Sequence, residues 1–434
     1  MTAVRTPRNL SWISELVGSR PCWSTDPSLS TIEQLARQHL ALTLDEPCAV
    51  TFFTEGAFNK LYSVCAKDNS YLMRVSLPVD PRWKTLSELA TLQFVRETCT
   101  ALVPSVLAYD ADVGNELGFE WIIMERLPGK TLDHCWKTMS WKAKEQLVRQ
   151  VVSVLASLYE HSFSGIGNIF LQGKTASSTT SYHVGRIVSM AFFWDKHYDQ
   201  DVPRGPFRSS HDWLAARLSF VLNDSADVLG SSEDEDDIEE AEESKALAEQ
   251  LIRLLPTLFP PHVDAPEPTV ISHDDLSFHN ILVDDDGKLT GIVDWECVSA
   301  FPLWKACQLP SFLVSPDRMQ RPDPAEYATE EDGTPNQLFF ENLREWEQTK
   351  LRTIFFEEME LLQTGWVNEY RTAERRADFE FGVQFCDDEF CRKRVKRWVE
   401  QMEKLERGET MGYISLRAAL TGIASNDATQ SSAT

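Results

Sequence analysis

The sequence contains no run of eighteen or more apolar residues, which removes a membrane-spanning helix from consideration. Its N-terminus lacks the apolar core of a secretory signal. Cysteines are few and scattered: nine in 434 residues, with no C-x-x-C and no zinc-like spacing. Cys386 and Cys391 are the closest pair and have no histidine nearby, so a reducing, intracellular setting is expected. Basic residues are in deficit, 42 Lys and Arg against 67 Asp and Glu, for a net charge of −25. A surface of that sign repels phosphate backbones and argues against a nucleic-acid partner. The one dense basic stretch, "CRKRVKRW" (391–398), has helical texture and reads as a solvated face. The chain also lacks G-x-G-x-x-G, an A-P-E segment after Asp294 and any internal repeat.

What remains is an ordinary globular composition, 42% hydrophobic and 25% charged, long enough for two or three folding units. Residues 1–48 read as an extension with helical pieces, in which "STIEQLARQHL" opens on a capping-box pattern, Ser30 and Glu33. Arg5, Arg8 and Arg20, with Glu15 the only acid among the first twenty residues, give a mitochondrial presequence as the alternative to a cytoplasmic location. Residues 49–128 have strand texture: "AVTFFT" and "LYSVCA" flank "EGAFNK", and "KDN" turns the chain into "SYLMRVSL". The helical spacing of Leu86, Leu89, Ala90 and Phe94 follows, then the strand "GFEWIIMERLPG". Beyond residue 128 helices predominate, so 129–365 forms a larger helical unit, with further helices and a polar tail in 366–434. The acidic run "SSEDEDDIEEAEES" (231–244) is expected to be a disordered surface insertion.

Chemistry concentrates in "ISHDDLSFHNILVDDDGKLTGIVDWE" (271–296). His273-x-Asp275-Leu276-x-x-x-Asn280 has the spacing of the kinase catalytic loop H-R-D-L-x-x-x-N, apart from its second residue. Asp275 would accept or orient the proton of an attacking hydroxyl, and Asn280 offers an amide oxygen to a metal. A turn at Asp286-Gly287 is expected to bring Asp294 back beside Asn280, as a carboxylate for Mg²⁺. Upstream, Arg74 lies in "YLMRV", where kinases place the lysine that contacts nucleotide phosphates, and Glu88 on the next helix can pair with it. Gly56 permits close backbone approach to phosphates, with Asn59 or Lys60 nearby, and Met124-Glu125-Arg126 offers backbone groups to adenine.

These pieces resemble the aminoglycoside phosphotransferase/choline kinase-like superfamily, most closely its uncharacterised fungal members. They occur in family order over roughly residues 50 to 315: "EGAFNKLY", "YLMRV", "SELATLQFVRE", "GFEWIIMERLPGKTL", "GIGNIF", "RGPFRSS", "SHDDLSFHNILVD" and "GIVDWECVSAFPLWKA". The resemblance implies an α+β, bilobal protein-kinase-like fold, with a small β-rich N-lobe and a larger, mainly helical C-lobe. It implies ATP and Mg²⁺ as cofactors, Asp275 as catalytic base, Asn280 and Asp294 as metal ligands, Arg74 on the phosphates, and a small molecule as phosphoryl acceptor. Two departures stand out: Arg74 replaces the usual lysine, and Asp274 adds a carboxylate where many relatives have a small or uncharged residue.

Each feature has a structural counterpart. Taken singly, Asp275, Asn280 and Asp294 are turn and strand-end caps; together at kinase spacing they point to catalysis. His273 reads as a buried loop residue, His279 as a surface one, and Asp284, Asp285 and Asp286 as turn formers. His273-Asp274 as the HD pair of a metal phosphohydrolase leaves the spacing of Asn280 unexplained. Trp194, Trp295 and Trp304 read as core, with an aromatic cage for a quaternary amine as the alternative. The functional alternative to a phosphotransferase is a pseudokinase-like nucleotide-binding or scaffolding module without catalysis.

Overall fold

The computed structural model describes residues 9–14, 18–99, 103–172 and 180–422. Arg5, Arg8 and Glu15 of the presequence reading, and the tail "NDATQSSAT", lie outside these residues. The chain forms two compact units. The first comprises Met1–Gly129, Gly167–Pro206 and Thr290–Ala300, and the second Lys130–Ile166, Phe207–Leu289 and Phe301–Thr434. Linear boundaries at 48, 128 and 365 therefore differ from the observed division, because two downstream segments complete the first unit.

The first unit is built on a five-stranded antiparallel sheet. A short hairpin, β1 (Leu10–Ser14) and β2 (Ser19–Trp23), precedes helix α1 (Leu29–His39). Then come β3 (Cys48–Glu55), β4 (Asn59–Ala66) and β5 (Asn69–Ser76), helix α2 (Trp83–Thr98), β6 (Val106–Asp110) and β7 (Glu120–Glu125). Spatial order is β3-β4-β5-β7-β6. The expected "KDN" turn is present: Lys67 and Asp68 take φ of 51° and 63°, as a two-residue hairpin with the right-handed strand twist requires.

Strand periodicity sorts the sheet's two faces. Tyr62, Val64, Met73, Val75, Trp121 and Ile123 pack with Ile32, Leu35 and Ala36 of α1. Leu72, Ile122, Met124 and Val106 pack with Leu86 and Leu89 of α2. Residues 1–48 are thus more than an extension, since α1 supplies one side of this core. Burying Ile32 and Leu35 contributes about 1.5–3 kcal/mol each. The cap of α1 is Ser28, which accepts from the Thr31 amide, rather than Ser30 two residues later.

The second unit is mainly helical, with long helices at Trp141–Tyr159, Ser210–Ser231, Glu235–Leu258, Gln337–Leu362 and Glu389–Glu406. The acidic run expected to be disordered is instead ordered as the start of the helix Glu235–Leu258. Asp234 caps it, and Glu235, Asp236 and Asp237 occupy the first turn, where the helix dipole favours carboxylates. Ala241, Ser244 and Leu247 give this helix a buried face. Opposite lies the basic stretch, on the helix Glu389–Glu406, where Arg392 is buried and meets Glu243 at 3.0 Å and the Ser244 hydroxyl at 3.1 Å. That stretch is consequently a partly buried packing face, with Val395 and Trp398 inside. Among the described residues no helix is long and apolar enough to cross a membrane.

Candidate functional site

The second unit positions the proposed catalytic loop. Strand Pro268–Ser272 leads into buried His273 and then to Asp275, and strand Ile281–Val283 follows Asn280. Leu276 anchors the loop: its side chain is buried, and its carbonyl accepts from the Phe312 amide at 2.9 Å. Asn280 is buried too, and its amide nitrogen donates to both the Asp275 carbonyl (2.9 Å) and Oδ2 (2.8 Å). With the nitrogen committed to Asp275, the Asn280 amide oxygen remains as an acceptor of the type a hard cation takes. Ser311 lies at the limit of hydrogen-bond reach from Asp275 Oδ1, at 3.5 Å.

The turn that follows is built as expected. Asp284 Oδ1 accepts from the amides of Asp286 (3.0 Å) and Lys288 (2.9 Å), and Gly287 takes φ 79°. A side chain at Gly287 would press on Met139 and Ala143 at 2.8 and 2.9 Å, so glycine is required there by conformation and by space. The strand Leu289–Ile292 then leads to Asp294.

In the first unit Asp294 occurs at φ 66°, and Cys297 at 59°, left-handed values uncommon for residues with a side chain. Such backbone persists when its surroundings fix it. Trp295 is buried and donates from its indole to the Ile292 carbonyl at 2.9 Å. Asn168, from "GIGNIF", is fully buried and donates to the Val298 carbonyl at 2.9 Å; its oxygen accepts from the Val188 amide and the Ser299 hydroxyl.

The sheet face opposite α1 carries a buried charge cluster. Arg74, on β5, forms an ion pair with Glu88 of α2, as its strand parity and the helix that follows lead one to expect. Sequence reasoning missed the other half. Lys84, one helical turn before Glu88, lies 2.5 Å from Glu296 and donates to Asn59 Oδ1 at 3.0 Å. Asn59 in turn donates to Glu296 at 2.8 Å and accepts from the Ser76 hydroxyl at 3.0 Å. Arg74 Nη1 stands 3.7 Å from Glu296. Burial alone would raise the Glu296 carboxyl; Lys84 and Arg74 more than offset this and hold it at about 2. The available signal was the i, i+4 spacing of Lys84 and Glu88, and a carboxylate two residues after Asp294.

Gly56 is exposed, and its amide donates to the Asn59 carbonyl at 2.9 Å, closing the β3–β4 hairpin. A Cβ there would meet nothing within 4 Å. Glu125 is exposed at the end of β7, and its amide is taken by the Ser105 carbonyl at 2.9 Å. Lys60 points to the α1 face, where it pairs with Asp26 and lies over the Trp23 ring. Trp295 and Trp304 are core residues, the latter donating to Ser210, while Trp194 is half-buried against Trp12 and Phe58. Among the described residues no three His, Cys, Asp or Glu side chains cluster as a metal site. A Mg²⁺ site completed by substrate phosphates needs only one or two carboxylates from the protein, and Asp294 is one of the type it takes.

A β-rich unit with a paired strand cation, and a helical unit bearing an Asp–Asn loop, give the chain a protein-kinase-like fold of α+β class. The chain belongs to the phosphotransferase enzyme family, whose model matches residues 49–304, more than half of its length. A subtelomeric hrmA-associated cluster protein of Aspergillus fumigatus is 24% identical over 314 residues, 59% of this chain and 59% of that one. The match thus spans well under two thirds of that relative's length. The mitochondrial altered inheritance of mitochondria protein 9 of Meyerozyma guilliermondii is 27% identical over 138 residues, 30% of this chain and 22% of that protein. Among solved structures, a gentamicin complex of the aminoglycoside phosphotransferase APH(2")-IIa aligns with 89% of this chain and 98% of its own, at 12% identity and a TM-score of 0.45.

Proposed function

We propose that this protein transfers the γ-phosphoryl group of ATP to a hydroxyl of a small molecule, with Mg²⁺ as cofactor. The observation that carries the reading is the double hydrogen bond from Asn280 to Asp275 inside the family-matched region. It holds the Asp275 carboxylate against Asn280, which supports a role in phosphoryl transfer, where positioning and charge stabilisation supply most of the rate. Asp275 orients the acceptor hydroxyl and takes its proton. Asn280 and Asp294 hold the metal, which when bound neutralises charge on the phosphates. Arg74, held by Glu88, steadies those phosphates, Gly56 and Asn59 border them, and the backbone around Glu125 faces adenine.

The test is calorimetry with ATP and Mg²⁺, followed by ATP consumption against a library of small hydroxyl compounds. Asp294→Ala should lose magnesium-dependent nucleotide binding and turnover, whereas Asp275→Ala should bind and fail to turn over. Equal consumption by wild type and Asp275→Ala would remove the assigned role. A second reading, nucleotide binding without transfer, draws on Arg74 and Lys84 already being paired with protein carboxylates. Binding without consumption across the library would favour it. We place the protein in the cytoplasm; its mitochondrial alternative draws on the naming of the Meyerozyma relative, and cell fractionation decides between them.

A further inference from the structure

We propose that Glu296, clamped by Lys84 and Asn59, is a positioning residue that sets the metal-binding geometry of Asp294. The inference rests on the phosphotransferase reading and deepens it. Asp294 and Cys297 both hold left-handed backbone, so the four residues from Asp294 to Cys297 follow neither helix nor strand. Side chains hold the segment at both ends. At the chain's far side Asn168 grips Val298 and Ser299. On the Asp294 side the grip is Glu296, nearly buried, which reaches three groups on three elements: Lys84 on α2 at 2.5 Å, Asn59 on β4 at 2.8 Å and Arg74 on β5 at 3.7 Å.

The same carboxylate thereby links the segment bearing Asp294 to the cation assigned to the phosphates. Lys84 balances it: two cations, Arg74 and Lys84, face two anions, Glu88 and Glu296, in one buried cluster. Replacing an ionised group here leaves an opposite charge buried without its partner, and the backbone next to Asp294 is free to relax. Groups that orient a metal ligand typically change metal affinity by about 10–100-fold when altered. Lys84 and Glu296 thus act through Asp294 and Arg74, without touching the reacting atoms.

The experiment measures ATP affinity of the full chain by calorimetry, with Mg²⁺ and with EDTA, alongside thermal unfolding. In wild type the ratio of the two dissociation constants reports the metal's contribution. Glu296→Gln should shrink that ratio by about tenfold or more while binding in EDTA changes little. Glu296→Asp, which keeps the charge, should recover part of it. If Glu296→Gln does not fold, Lys84→Met/Glu296→Gln removes one charge of each sign, leaves Arg74 and Glu88 matched, and should show the same loss. A lowered unfolding temperature with an unchanged magnesium ratio would overturn the inference and leave the phosphotransferase reading standing. Wild type failing to bind ATP with or without Mg²⁺ would overturn that reading and this inference together.

Discussion

Gly56 is a residue whose own environment does not explain its identity. It has no left-handed φ and no neighbour that a Cβ would strike, and it sits exposed in the turn between β3 and β4. Neither conformation nor packing within the protein demands glycine there, and the proposed function gives it a role at the border of the phosphates. Gly56→Ala should therefore split two measurements. Stability should rise by about 0.4–1 kcal/mol, because alanine narrows the unfolded ensemble at a compatible position. On the proposed function ATP affinity should fall, as the added methyl would crowd the phosphates. Thermal unfolding and calorimetry on one sample check both signs, and an unchanged affinity removes Gly56 from the site. Arg74 is the contrasting case, its identity explained by Glu88 within the fold. Arg74→Met leaves that buried carboxylate unpaired and should cost about 3–5 kcal/mol, read from the denaturation midpoint.

Among the elements, the last helix of the described chain shows how one side chain holds a segment. Asp378, on the helix Glu374–Phe385, is fully buried. It accepts from the Tyr413 hydroxyl (2.5 Å), the Ser415 hydroxyl (3.1 Å) and the amides of Leu416 (2.9 Å) and Arg417 (3.0 Å). Asp378→Asn turns two of its acceptor sites into a donor group facing donors. It should cost about 3 kcal/mol and speed amide exchange in Leu416–Thr421 ahead of the rest of the unit. Uniform exchange throughout would contradict that. The same elements show what the sequence could reveal. The Arg74–Glu88 pair was legible because the strand and the helix that follows it are close in sequence. Asp275 and Asn280 were legible as members of one loop from their kinase-like spacing, whereas the hydrogen bonds between them were not. The helix Glu235–Leu258 was not, since its order depends on Arg392, some 150 residues away, and on a face hidden among acids. Lys84 and Glu296 escaped for the same reason: their meeting depends on a fold in which residues 84 and 296 belong to one unit.

Across the whole molecule, charge sets the response to pH, and two buried carboxylates pull in opposite directions. Glu380 sits between Lys305 (3.0 Å) and Arg217. Burial would raise its carboxyl, but Lys305 and Arg217 hold it at about 2, below the usual 4.5. Its contribution is complete above pH 4.5 and is lost as pH falls toward 2. Asp80 behaves the other way. Burial pushes it up to about 6, despite Arg186 at 3.0 Å and the nearby Arg204, with Glu120 and Tyr198 also facing it. Between pH 3.8 and 6 the unfolded chain releases this proton more readily than the folded one, so stability declines as pH rises through that window. With a net charge of −25, general repulsion among carboxylates acts in the same direction and is weakened by salt. The two contributions separate by substitution. Asp80→Asn keeps the shape and removes the proton, so its unfolding midpoint relative to wild type should climb between pH 4 and pH 7, at high ionic strength as well as low. Midpoints that run parallel across that range would show that Asp80 titrates alike in the folded and unfolded chain.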